Sequence, residues 1–231
     1  SAYGVETCVL PTAILSNHTM FKSWSYLDLT GEIENIFVEW KNNGFKFDAF
    51  LLGYLGKKTL MDVAEKCFDN FSADVATVII DPVFGDNGKL YCGFDGEYVA
   101  AMRKLIKRAD IILPNVTEAC FLTGTPYKSD CGVEFVKQLA KKLAALTDAV
   151  IVITGAEKDG KIGEVIYSGN EFEVVLLDKL PQKRHGTGDI FASVFTAEYL
   201  AQKSLRDCCF NASKFVIDCI KTTGDGHFYG V

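Results

Sequence analysis

The run His185-Gly186-Thr187-Gly188-Asp189, followed by Ile190-Phe191-Ala192-Ser193-Val194-Phe195, holds the residues best placed to do chemistry. Glycines at 186 and 188 let the backbone turn tightly and aim consecutive N–H groups outward, and an apolar helix starting here brings the positive end of its dipole to the same point. Such a corner holds an anion. The dipole and the amides also favour the ionised form of a carboxylate, so Asp189 is expected to stay charged near neutral pH. It could then take a proton from a substrate hydroxyl while Gly186, Thr187 and Gly188 stabilise charge on a transferring phosphoryl group. The same residues are equally compatible with a plain helix cap and its loop, since Asp is common as a cap. His185 reads as a loop residue rather than a contact.

In open α/β sheets, ligands bind at the carboxyl ends of parallel strands. Polar residues just after apolar runs are therefore the next candidates: Asp81 after Val78-Ile79-Ile80, Asn115 and Glu118 after Ile111-Ile112-Leu113, and Thr154 after Val150-Ile151-Val152-Ile153. Carboxylates and an amide at neighbouring strand ends suit Mg²⁺, which takes one or two protein ligands beside nucleotide phosphates and water. Taken singly, each is also an ordinary turn or helix-start residue. Tyr54, in Gly53-Tyr54-Leu55-Gly56, could lay its ring on a planar substrate or sit in a surface turn. Ser16-Asn17-His18-Thr19 alone reads as a turn.

Two nucleotide motifs are excluded. Residues 155–161 fit GxxxxGK, but Ile162 stands where Ser or Thr is required and leads into a strand-like run instead of a helix. Gly186-Thr187-Gly188 does not extend to a dinucleotide fingerprint, because Phe191 takes the third glycine position. The three histidines (18, 185 and 227) lack metal-site spacing.

The scaffold that must position these residues alternates short β-like runs with helical stripes, the pattern of layered α/β architecture. Strands are expected over 5–10, 47–52, 76–80, 111–113 and 149–153. Ile33, Ile36, Phe37 and Trp40 mark a helix closed by Gly44, and Leu60, Val63, Ala64, Cys67 and Phe68 mark the next. A glycine-rich loop over 84–93 precedes a helix through Val99, Met102, Leu105 and Ile106. Thr117 is expected to cap a short helix that Gly124 ends, and a long helix runs through Val136, Leu139, Ala140 and Leu143. The runs 162–167 and 172–177, around Ser168-Gly169-Asn170-Glu171, read as an antiparallel edge hairpin. Helices over about 189–202 and 205–222 finish the chain. The opening Ser1-Ala2-Tyr3-Gly4 looks like the last turn and glycine cap of a helix, so a strand and helix of about 30 residues are expected before it. Residues 1–231 are expected to form a single domain.

Composition narrows the classes further. The 231 residues are 48% hydrophobic and 23% charged, enough chain to bury a large core without staples. A net charge of −6 offers no positive field for nucleic acid, and no apolar run approaches the roughly 20 residues of a membrane helix. Eight cysteines without a CxxC pair read as reduced, small hydrophobes in a cytoplasmic chain.

Assembled in order, Ser16-Asn17-His18-Thr19, Gly53-Tyr54-Leu55-Gly56, Asp81-Pro82-Val83-Phe84-Gly85-Asp86, Pro114-Asn115-Val116-Thr117-Glu118 and Gly186-Thr187-Gly188-Asp189 resemble the ribokinase-like superfamily, and within it the pyridoxal kinases. The resemblance covers essentially the whole chain. It implies a three-layer sandwich with a mostly parallel central sheet, and ATP-dependent phosphorylation of the 5′-hydroxyl of pyridoxal, with pyridoxine or pyridoxamine as further acceptors. By the same resemblance Asp189 is the base and residues 186–188 form the anion hole. Asp81 and Glu118 lie near the phosphates and Mg²⁺, through water, with Asn115 and Thr154 on the nucleotide and Thr19 and Tyr54 on the pyridine ring. A homodimer is implied too. The sequence leaves two alternatives: a hydroxymethylpyrimidine kinase, or a catalytically inactive protein that binds a nucleotide or vitamin.

Overall fold

Strand segments that are apolar at every position need cover on both faces, and that requirement sets the layers of this molecule. The computed structural model describes residues 2–17, 21–182, 184–224 and 230. In chain order the elements are β1 (Ala13–Leu15), β2 (Tyr26–Asp28), α1 (Ile33–Asn42), β3 (Phe47–Leu52), α2 (Thr59–Phe71), β4 (Ser72–Ile80), β5 (Gly85–Asp86), β6 (Lys89–Leu90) and α3 (Gly96–Leu105). They continue with β7 (Ile111–Ile112), α4 (Val116–Thr123), α5 (Val133–Ala144), β8 (Val150–Lys158), β9 (Lys161–Ser168), β10 (Glu171–Asp178), α6 (Thr187–Leu200) and α7 (Leu205–Thr222).

The central sheet has six strands in the order β10-β9-β8-β7-β4-β3. β3, β4, β7 and β8 pair parallel, while β9 and β10 are antiparallel. Ile80, Ile112, Ile151, Ile153 and Val165 pack into a core with α1 to α5. Their alternates Ile79, Ile111, Val152 and Ile166 face a second core under α6 and α7. The result is the helix–sheet–helix sandwich with an edge hairpin that the apolar pattern implies.

Two local expectations fail for physical reasons, and one exclusion holds. Residues 5–10 are irregular, with Val9 exposed, because their apolar side chains meet no neighbouring strand edge; β1 and β2 pair with each other instead. Helix α4 is capped by Asn115, not Thr117. The Asn115 side chain accepts from the Glu118 amide, and the Glu118 side chain accepts from the Asn115 amide, a reciprocal box stronger than a lone threonine cap. The GxxxxGK stretch is the turn of the β8–β9 hairpin, as the exclusion of a phosphate loop requires. Among the described residues no helix is long and apolar enough to cross a membrane.

The hairpin is pinned by close backbone approach at Gly163, paired with Leu176: a Cβ there would lie 2.0 Å from the Val175 carbonyl oxygen. Gly163→Ala should therefore cost about 1–3 kcal/mol, the usual penalty of overpacking, read as a lower midpoint in chemical denaturation. A variant as stable as the parent would contradict this packing.

Candidate active site

Four parallel strands running the same way open their carboxyl ends along one edge of the sheet. Sheet pairing continues past the strand ends there: the Asp81 amide donates to the Leu52 carbonyl (2.8 Å), the Thr154 amide to the Pro114 carbonyl (3.0 Å), and Asn115 bridges Thr154. Asp81, Asn115 and Thr154 are thus fixed to the sheet's frame in the order of their strands, β4, β7 and β8.

Glu118, only 2% exposed, organises the loops between them. Its Oε1 accepts from the amides of Phe84 (3.0 Å) and Gly85 (3.5 Å), and its Oε2 from the amide of Asn115 (2.8 Å). The Asn115 side chain donates to the Gly85 carbonyl (2.8 Å), and Thr117 Oγ1 accepts from the Gly88 amide (3.0 Å). Asp81, 8% exposed, accepts from the Val83 amide. Val83 has φ +28°, a strained conformation for a β-branched residue that persists only where neighbours over-determine it. Here two carboxylates grip the three consecutive amides of residues 83–85.

Burial pushes the Asp81 carboxyl well above the usual carboxylate range, and the charges of Glu118 and Asp189 push it further. Burial also raises Glu118, against the pull of its amide donors. Among the described residues no ion pair joins Lys or Arg to Asp81, Glu118 or Asp189. Clustered, unpaired, desolvated carboxylates are what a divalent cation relieves, so this donor set fits Mg²⁺. Both Glu118 oxygens are engaged by amides, and no described group of three His, Cys, Asp or Glu side chains could hold a metal ion. The fit is to a cation carried largely by phosphates and water.

The anion corner forms at the start of α6. Gly186 is the N-cap in the left-handed region (φ +83°), and Ile190 N–H returns to its carbonyl at 3.1 Å. No side chain caps this helix among the described residues, and Asp189 lies within the first turn, so it is not the cap. The space where a Gly188 side chain would project is open within 4 Å. Thr187 and Gly188 line a cavity of about 790 Å³ together with Asp86, Asn115, Thr154 and Glu164. Desolvation raises Asp189 above its ordinary value, opposite to the direction expected from the dipole and amides alone.

Tyr54 is 49% exposed, its ring 5.7 Å from Phe94, which stacks at 4.0 Å on Tyr98. The Tyr98 hydroxyl donates to the Leu55 carbonyl (2.7 Å) and braces the Tyr54 turn. Thr19 lies outside the described residues, as do His18 and His227. Asp86 and Glu164 are among the cavity residues that escaped the sequence reading: Asp86 ends β5, within the glycine-rich stretch that hid it, and Glu164 is an acid inside the apolar run 162–167.

A family model described as phosphomethylpyrimidine kinase matches residues 1–229. The chain belongs to this family. It is similar to a Bacteroides thetaiotaomicron protein crystallised with pyridoxal, at 37% identity and TM-score 0.89, over 96% of this chain and 79% of that one. The pyridoxal kinase of Lactobacillus plantarum matches at 32% identity and TM-score 0.86, over 96% and 81% of the two chains. A pyridoxal kinase of Corynebacterium diphtheriae is 27% identical over 95% of this chain and 80% of its own length. With these relatives, the chain is a kinase of the α/β sandwich type its strand order describes.

Within this kinase fold, burial lifts Glu164 from the ordinary 4.5 to about 8. The folded state holds that proton more tightly than the unfolded chain, so the stabilising contribution is full below pH 4.5 and lost as pH rises towards 8. Tm measured by calorimetry across that window should fall more steeply for the parent than for Glu164→Leu. Equal slopes would contradict the burial of this acid.

Proposed function

We propose that this chain transfers the γ-phosphoryl group of ATP to the 5′-hydroxyl of pyridoxal, giving pyridoxal 5′-phosphate. The observation that carries the reading is the α6 start: Thr187 and Gly188 line a large cavity, Asp189 follows them in the first turn, and Glu118 and Asp189 are close enough to the buried Asp81 to raise it. The Bacteroides relative crystallised with pyridoxal supports the ring, and the pyridoxal kinases among the relatives support the acceptor.

Phosphoryl transfer needs positioning and charge stabilisation more than covalent help from the protein. Asp189, lifted by desolvation, accepts the hydroxyl proton as the oxygen attacks. The amides of Gly186, Thr187 and Gly188 receive the negative oxygens of the group in transit. Asn115 supports the phosphate end of the nucleotide, Thr154 lies in the nucleotide site, and Thr19 and Tyr54 hold the pyridine ring. Asp81 and Glu118 hold Mg²⁺ through water; when bound, it neutralises phosphate charge. Residues 1–231 act as one kinase domain, which we assign to a cytoplasmic homodimer on the resemblance to pyridoxal kinases.

The family's description favours a second reading, a kinase acting on hydroxymethylpyrimidine, since the same corner serves any primary alcohol. Turnover with MgATP on pyridoxal, pyridoxine, pyridoxamine and hydroxymethylpyrimidine separates the two; pyridoxal should give the highest kcat/KM, and preference for the pyrimidine would overturn the substrate assignment. Asp189→Asn should lower turnover at least about 10²-fold while ATP affinity is retained. Unchanged turnover would remove Asp189 from the base role, and no turnover by the parent on any of the four acceptors would favour an inactive binding protein.

A further inference from the structure

The β5–β6 hairpin borders the cavity and is too short to hold its own shape. It has two register pairs, Gly85 with Leu90 and Asp86 with Lys89, and an isolated two-stranded ribbon is marginal in water even when longer. Its turn, Asn87-Gly88, has both residues in the left-handed region (φ +51° and +75°). Asp86 and Asn87 are exposed and line the cavity.

Two neighbours fix this turn from outside. Thr117 Oγ1, at the start of α4, accepts the Gly88 amide at 3.0 Å. Tyr127, in the segment between α4 and α5, lays its ring against the Gly88 backbone: a Cβ at that glycine would lie 2.5 Å from Tyr127 Cδ1 and 2.9 Å from Cγ, so no side chain fits there while the ring stays. The ring is itself held, half-buried against the core and with its hydroxyl 4.0 Å from Cys131 Sγ.

The turn decides where Asp86 stands. Asp86 Oδ1 accepts from the Asn87 amide (2.8 Å) and Oδ2 from the Asn87 side chain (2.7 Å), so the carboxylate moves with the turn. Its charge reaches the buried Glu118 and raises it, which joins Asp86 to the acids at the strand ends.

We infer that Tyr127 is a positioning residue: its ring clamps the Asn87-Gly88 turn and so holds Asp86 beside the acid cluster that takes the magnesium nucleotide. This rests on the proposed function, which seats the nucleotide phosphates in the cavity that Asp86 lines. Tyr127 touches no reacting atom; it acts through Asp86.

The test is calorimetric titration of MgADP, without pyridoxal, into the parent, Tyr127→Phe, Tyr127→Ala, Asp86→Ala and the variant carrying both alanines. Phe keeps the ring and should bind within about twofold of the parent, whereas Tyr127→Ala should bind about tenfold more weakly, since small displacements of a positioned group are costly. With Asp86 already Ala, removing the ring should cost less than about threefold, because the group it positions is gone. A ring that serves stability alone would give the same loss with and without Asp86. Tyr127→Leu serves the same comparison should the Ala variant not fold. Full affinity in Tyr127→Ala, a Phe variant as weak as Ala, or equal losses in the two backgrounds would overturn the inference. The expected pattern found together with no phosphorylation of any acceptor would remove the transfer assignment and leave the clamp standing; a parent that does not bind MgADP would remove both.

Discussion

Glu118 is a buried carboxylate that collects three backbone amides from two different loops. The Asn115 amide begins α4, while those of Phe84 and Gly85 lie in the turn after β4, so one side chain locks the ends of neighbouring strands together. Hydrogen bonds to a charged acceptor are stronger than neutral ones, and losing one partner would strand a charge in the interior. Asp81 holds the remaining amide of the turn, and Val83 keeps a left-handed backbone conformation that it would abandon if unsupported. The turn after β4 and the start of α4 take their geometry from these two acids.

The same acids create an electrostatic deficit. A desolvated carboxylate such as Asp81, raised further by the charges of Glu118 and Asp189, is tolerable in a binding site because the ligand brings the compensating charge. Asp189 belongs to the group through its effect on Asp81, though it comes from a helix more than 100 residues later in the chain. The α6 start and the strand ends therefore form one electrostatic unit assembled from distant segments.

Much of this was legible in the sequence because it is local. Apolar runs such as Val78-Ile79-Ile80 and Ile111-Ile112-Leu113 mark strands buried on both faces, and the polar residues after them fall at the strand ends. The β9–β10 hairpin and the helix after Gly186 were equally readable from turn residues and periodicity. What the sequence hid depends on partners far along the chain. Residues 5–10 have strand composition but no edge to pair with, and Asn115 outcompetes Thr117 as cap through its reciprocal bond with Glu118. The direction of the Asp189 shift follows from desolvation, which needs the packed fold. Glu164 was passed over as part of an apolar strand, and its orphaned oxygen appears only once α7 is docked.

The central claim is that the amides at the start of α6 receive the phosphoryl group while Asp189 receives the proton. A crystal structure with a non-hydrolysable ATP analogue and pyridoxal tests it most directly. The terminal phosphate should lie within hydrogen-bonding distance of the amides of residues 186–188, with the pyridoxal 5′-hydroxyl against the Asp189 carboxyl. A triphosphate seated away from that corner, or a hydroxyl turned from Asp189, would contradict the account.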